Sequence, residues 1–375
     1  MPITGLILGA RIGIATFGCN IEVISDFQTI LKAYALPEDS ELSAIGSGLI
    51  HKTWKLTAGD HVFVLQQVNQ RVFQEPMKIA ANLTLLEEYI QRTTPSYPFV
   101  SPVPAASGDR IILHDRDYYR LFRYVMNSST FDAVSTPGLA YEAAYQFSRF
   151  SKVFADFNSA DLYVPIPHFH DLAFREAQFN EAIVRGNVER VKQSQELIQL
   201  IHRYAWITDD YRRIEKGKLI KKRVTHHDTK ISNVLFDLAG KGITVIDLDT
   251  VMAGYYISDL GDMMRTYLSP ASEEESDLSR VEVREHFFEA IILGFFENLR
   301  DVLTKDEQGF VFYSGLFLIY MQAIRFLTDF MNDDRYYGAR YEDHNFVRAK
   351  NQLTLLKNYL EKKDVLQTII RKSVR

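Results

Sequence analysis

The chain has 375 residues, 46% of them hydrophobic and 24% charged, with a formal net charge of −5. That length and composition suit two lobes with sizeable cores. Slight acidity, and no basic run beyond Lys221-Lys222-Arg223, argue against nucleic acid or an anionic membrane surface as the main partner. A lone cysteine, Cys19, leaves no internal disulfide to form and fits a reducing, cytoplasmic setting, with a monomer as the favoured state.

The stretch MPITGLILGARIGIATFGCNIEV is apolar and Gly-rich, but Arg11 interrupts it and no basic n-region opens it. It is a poor match to a signal peptide, and residues 1–20 read as an extension. Residues 21–125 read as a β-rich lobe. Two strand-like runs within 42–68 are split by Ala58-Gly59-Asp60, a hairpin signal. Ile79, Leu83, Leu86 and Ile90 fall at helical spacing and predict a helix over Glu75–Gln91. Pro95, Pro98, Pro102 and Pro104 punctuate a loop, and Arg110–His114 and Tyr118–Val125 read as further strands.

Residues 126–375 change to mostly helix. Thr136-Pro137 predicts an N-cap and first turn. Phe147, Phe150, Phe154 and Phe157 form a stripe expected to pack in the core, and charged helical patterns run through 172–215. NVLF and ITVID, joined by DLAGKG, predict a β-hairpin. Three helical patterns finish the chain. Among them FVFYSGLFLIYMQAIRFL (310–327) is nearly long enough to span a bilayer, but Gln322 and Arg325 lie within it and Asp329 follows. Charge in lipid is costly, so this stretch predicts a buried core helix and no membrane partner. The fold class is α+β: a small β-rich lobe, then a large helical lobe carrying one hairpin.

The chemically dense residues flank that hairpin, in THHDTKISN (225–233) and TVIDLDT (244–250). Phosphoryl transfer needs a hydroxyl aimed at phosphorus and compensation for charge on the phosphoryl oxygens, commonly with Mg²⁺. One candidate is present for each task. Asp228 would accept the hydroxyl proton, Lys230 would neutralise the transferring group, and Asn233 and Asp247 would offer the hard oxygens that Mg²⁺ prefers. The antiparallel hairpin brings positions 233 and 247 to one end. Asp249 reads either as a further metal group or as a solvated carboxylate.

H-x-D-x-K-x-x-N resembles the protein-kinase catalytic loop, and IDLD resembles its metal-binding segment. The absence of an A-P-E segment and the helices preceding the loop are similar to the aminoglycoside phosphotransferase and choline kinase superfamily. Within it, HHDTKISNVLFD, VIDLDTVMAG, SDLGDMMR and IRFLTDF resemble segments of N-acetylhexosamine 1-kinases, a likeness that covers residues 21–365. It implies a bilobal protein-kinase-like fold, ATP and Mg²⁺ as cofactors, and transfer to the anomeric hydroxyl of an N-acetylhexosamine. It implies that His51, Lys230, Arg325 and Tyr336 contact the sugar, and that His226 and Asp259, with Asp262, brace the loop.

On the nucleotide side, Gly46-Ser47-Gly48 would cover the phosphates and adenine would dock on the backbone of Phe122, Tyr124 and Val125. In the kinase pattern the next strand carries a lysine paired with a helical glutamate; here Gln66 takes the first place and Asn82 is expected at the second. Arg325, in so apolar a helix, needs a partner, either Asp329 or a ligand. Two other readings stand beside the sugar kinase. One is a kinase of a cationic molecule, an aminoglycoside or choline-like, held by Asp333, Asp334, Glu342 and Asp343. The other is a kinase-like binding module without catalysis.

Overall fold

The computed structural model describes residues 27–45 and 51–374. The extension at 1–20 and the Gly46-Ser47-Gly48 turn lie outside the described residues. The first lobe is a five-stranded antiparallel sheet built from β1 (Glu41–Ala44), β2 (Lys52–Ala58), β3 (His61–Gln67), β4 (Ile112–His114) and β5 (Asp117–Arg123), in the spatial order β1-β2-β3-β5-β4. The first predicted strand run is therefore two strands. Ala58 pairs with His61 across the β2–β3 turn, where Gly59 at φ 57° supplies the left-handed backbone. Alternation along β2 and β3 turns Trp54, Leu56, Phe63 and Leu65 inward, onto Ile30 and Leu31 of helix α1 (Phe27–Ala33).

Helix α2 (Pro76–Thr93) follows, with Pro76 in its first turn, where a missing N–H costs nothing. Its predicted stripe, Ile79, Leu83, Leu86 and Ile90, is buried in the core of the second lobe rather than in the sheet's own core. Helix α3 (Pro137–Val153) starts as read: the Thr136 hydroxyl accepts the Leu139 N–H at 3.2 Å. Phe147, Phe150 and Phe154 are buried, and Phe157 packs at the edge.

The helices α4 (Leu172–Arg185), α5 (Val188–Gln193), α6 (Gln195–Arg203) and α7 (Trp206–Gly217) precede the segment that carries THHDTKISN. Strand β6 (Arg223–Thr225) leads into it and pairs with β9 (Met252–Gly254), which closes it; the hairpin of β7 (Val234–Phe236) and β8 (Gly242–Val245) lies between. Arg223 anchors β6 through a buried bidentate pair with Glu307, at 2.6 and 2.9 Å. Strand β9 was absent from the sequence reading.

The chain ends in six helices where three patterns were expected: α8 (Tyr256–Tyr267), α9 (Glu285–Leu299), α10 (Lys305–Gln308), α11 (Val311–Met331), α12 (His344–Glu361) and α13 (Lys363–Ser373). The four residues of α10 and the polar α13 are too short or too weakly apolar to stand out as separate elements. Helix α11 is long and apolar enough to cross a membrane, yet nearly all of it is buried inside this lobe. It approaches α8 so closely that a Cβ at Gly261 would sit 2.2 Å from the Ser314 carbonyl oxygen.

Candidate active site

The loop between β6 and β7 is held from below by α8. Asp259 accepts the backbone N–H groups of His226 at 3.0 Å and His227 at 2.7 Å. Asp262 accepts that of Thr229 at 2.8 Å. Burial raises the Asp259 carboxyl to about 7, against the pull of the two N–H groups. His226 is fully buried: its Nε2 donates to the Ile246 carbonyl at 3.0 Å, its Nδ1 accepts from the Asp228 N–H at 3.3 Å, and its ring meets Phe147 and Phe150 edge-on. These bonds fix one neutral tautomer, and burial lowers the ring to about 4. His226 and Asp259 thus stand where the brace was expected.

The backbone turns left-handed at His227, φ 67°, and its Nδ1 meets His170 Nδ1 at 3.2 Å. Gly254 of β9 makes room for this ring, since a Cβ there would sit 2.4 Å from it. The turn brings Asp228 beside Asn233, which lines the cleft between the lobes. Its carboxylate takes Lys230 Nζ at 2.9 Å and Asn233 Nδ2 at 3.0 Å. Burial disfavours the charge, but Lys230, His226 and the Asn233 hydrogen bond together hold Asp228 below the usual carboxylate range. Lys230 in turn, despite burial, is raised by Asp228 and Asp247.

Val234 pairs with Val245, and the Ile246 N–H donates to the Asn233 carbonyl at 2.9 Å, so the hairpin brings Asn233 and Asp247 to one end. Asp247 sits at φ 60° on the cleft floor beside Asn233. Burial, then the neighbouring Asp249, raises its carboxyl to about 6. No described residue donates a hydrogen bond to it. A half-buried carboxylate with no donor, beside an amide oxygen equally free, fits a hard divalent cation.

Oxygens of Asp247 and Asp249 and a nitrogen of His51 also lie within 4.8 Å of one another. His51 and Asp249 are already committed. Arg120 of β5 grips Asp249 through two bonds of 2.5 and 2.7 Å, and His51 Nε2 adds a third at 2.7 Å. His51 Nδ1 accepts the Asn69 N–H at 3.1 Å, so both ring nitrogens are occupied. Burial would raise Asp249, but Arg120 and His51 hold it well below the carboxylate range. The solvated reading of Asp249 is overturned, since it is 2% exposed.

The cleft has a volume of about 380 Å³ and is lined by Gln66, Phe122, Tyr124, Val125, Asn233 and Asp247 among others. The expected substitute pair does not form. Asn82 spends its amide on Tyr163 and the Val251 carbonyl, while Gln66 accepts from Arg120 at 2.9 and 3.1 Å. Helix α2 is therefore tied to the helical lobe and plays no part opposite Gln66. Arg120 was missed in the sequence. Its one signal was a charge within the strand run DYYRLFR.

A second cavity, about 160 Å³, lies between α4 and α11 and contains Arg325 and Tyr336, joined by Arg175 and Tyr337. His51 does not line it. Asp329 is not the partner of Arg325: it accepts the N–H groups of Tyr336 and Tyr337 at 2.7 and 2.8 Å. Arg325 instead donates to Gln322 at 2.7 Å and lies over Phe169, Tyr336 and Tyr337 at 5.2 to 5.7 Å. Arg175, missed in the sequence, is 8% exposed, and its Nε has no acceptor among the described residues. Burial, then Arg325, lowers its guanidinium to about 10. A chain of rings, His227 to His170 to Phe169, runs from the loop between β6 and β7 to Arg325.

A five-stranded lobe closing on a helical lobe, with these carboxylates on the cleft floor, is the architecture of protein-kinase-like phosphotransferases. Solved structures share it at low identity. An aminoglycoside phosphotransferase from Alicyclobacillus acidocaldarius superposes with a TM-score of 0.61 at 14% identity, covering 92% of this chain and 96% of its own. A microcompartment-associated aminopropanol kinase gives 0.57 at 14%, covering 93% and 98%. A spectinomycin phosphotransferase in complex with ADP and spectinomycin gives 0.56 at 11%, covering 89% and 97%. The chain belongs to the phosphotransferase enzyme family of the aminoglycoside phosphotransferases, whose model matches residues 41–287. It is a small-molecule phosphotransferase acting on a hydroxyl acceptor.

Proposed function

We propose that this protein transfers the γ-phosphoryl group of ATP to the anomeric hydroxyl of an N-acetylhexosamine, N-acetylglucosamine or N-acetylgalactosamine. The observation that carries the reading is the bonded cluster of Asp228, Lys230 and Asn233 at the end of the hairpin where Asp247 lines the cleft floor. The acceptor oxygen bonds to the γ-phosphorus, the bond to the ADP oxygen breaks, and the hydroxyl proton passes to Asp228. Lys230 faces the transferring group. Asn233 and Asp247 would hold Mg²⁺, which when bound neutralises charge on the phosphate oxygens. Adenine lies against the segment from Phe122 to Val125.

The second cavity supports an uncharged acceptor over a cationic one. Two guanidiniums, Arg175 and Arg325, face it, and like charge repels an ammonium group. Two of the four acidic residues that could hold a cation are engaged elsewhere: Asp334 pairs with Arg190 at 2.5 Å and Asp333 with Asn187 at 2.9 Å. An acetamido oxygen and ring hydroxyls can accept hydrogen bonds from arginine, and Tyr336 can stack on the sugar face. The neighbours are named for spectinomycin and aminopropanol, but at 11–14% identity they speak for the fold and not for the acceptor.

The test is ADP release with Mg·ATP against N-acetylglucosamine, N-acetylgalactosamine, glucose, choline and an aminoglycoside, with phosphorus NMR of the product. Turnover of an N-acetylhexosamine to an anomeric phosphate is expected. Turnover of the amines alone would overturn the sugar assignment.

A further inference from the structure

Strand β3, HVFVLQQ, carries no lysine or arginine, so the cation that kinase folds place there is missing. We propose that Arg120, on the neighbouring strand β5, takes its place as the phosphate-contacting residue, with Asp249 of the opposite lobe as its counter-ion. This deepens the ATP reading above and rests on it.

Four observations converge. Gln66 and Arg120 are directly opposite in the β3–β5 register, so the charge has moved one strand, about 4.8 Å, and arginine is the longer side chain. Arg120 is 3% exposed, yet it lines the same cleft as Asn233 and Asp247. Of its five N–H groups, four are engaged by Gln66 and Asp249. The fifth, on Nη1, has no acceptor among the described residues. Finally, Asp249 has both oxygens taken by Arg120 and His51. The two acids of IDLD therefore divide the work: Asp247 is free for the metal, and Asp249 neutralises the cation that faces the phosphates. Gln66 then acts as a positioning residue, its amide oxygen orienting the guanidinium.

The experiment compares binding of Mg·ADP and of adenosine, by calorimetry, to the full-length protein and its variants. A charged hydrogen bond to phosphate is lost in Arg120→Gln, so Mg·ADP affinity should fall about 10- to 100-fold while adenosine affinity is unchanged. Because Arg120→Gln strands Asp249, the double variant Arg120→Gln/Asp249→Asn removes both charges and guards against misfolding. It should remain weak for Mg·ADP. Gln66→Lys in that neutral background should restore much of the affinity. If the double variant binds Mg·ADP as the parent does, or if ADP and adenosine weaken equally, Arg120 is only a structural ion pair. If the parent protein binds no Mg·ADP, the ATP reading and this proposal both fall. If the parent binds and only the variants' phosphate dependence is normal, this proposal falls alone.

Discussion

The carboxylate of Asp259 is the support on which the catalytic loop rests, and Asp259→Asn tests that directly. Asp259 accepts two buried backbone N–H groups, at 2.7 and 3.0 Å, from consecutive residues of the loop. An asparagine offers one oxygen and turns an NH₂ toward the other N–H. One charge-assisted bond is lost, about 1.5–3 kcal/mol, and one buried donor is left without an acceptor, about 1–3 kcal/mol. The sum, about 4 kcal/mol, corresponds to a fall in Tm of about 5 °C for a chain of this length. His227 sits at φ 67°, a conformation held by its surroundings, so the loop should relax and carry Asp228 off line. A displacement of about 1 Å costs about 10²-fold in rate. Scanning calorimetry and turnover should therefore both fall. A variant that melts with the parent and turns over normally would refute the brace.

Three further outcomes separate chemistry from scaffold. Asp228→Asn should lower kcat by about 10²–10⁴-fold with Tm and Mg·ADP affinity little changed, whereas Asp247→Ala should weaken Mg·ADP binding as well; equal binding by the two, in calorimetry, would contradict the assigned roles. Glu307→Ala strands the buried Arg223 and should cost about 3–5 kcal/mol in urea unfolding; a cost below about 1 kcal/mol would show that the pair is not what fixes β6. Burial lowers His226 to about 4 and His227 to about 3, so their rings favour the folded state above about pH 6.5 and oppose it increasingly as pH falls toward 4. With ¹³Cε1-labelled histidine, both resonances should stay at their neutral positions from pH 8 to 5. Titration of every ring near pH 6.5 would count against the tautomer assigned to His226.

The grouping of the proposed catalytic residues was readable because it is local. His226, Asp228, Lys230 and Asn233 lie within eight positions, and the hairpin pattern alone says that Asn233 and Asp247 meet. The core role of α11 was also readable, since Gln322 and Arg325 interrupt a stretch that lipid would not tolerate. Arg120 was not readable in the same way. Its place depends on strand register and on a partner 129 residues away, and neither leaves a periodic trace. His51 illustrates the same limit. Its partner Asp249 is 198 residues distant, so the sequence offered a ligand contact where the structure has a buried ring with both nitrogens in use. Asn82 likewise bonds the helical lobe, because α2 packs into that core.

The grip of Arg120 and His51 on Asp249 makes the two lobes a matched set. Their partnership is written in three positions spread across the chain: Arg120 in the sheet, His51 just before its second strand, and Asp249 beyond the hairpin. A hybrid made by grafting the sheet of a family member with its cation on β3 onto these helices would bury Asp249 without either partner. Several kcal/mol would be lost at the seam however well each half folded. Such hybrids should need Asp249 exchanged together with the sheet.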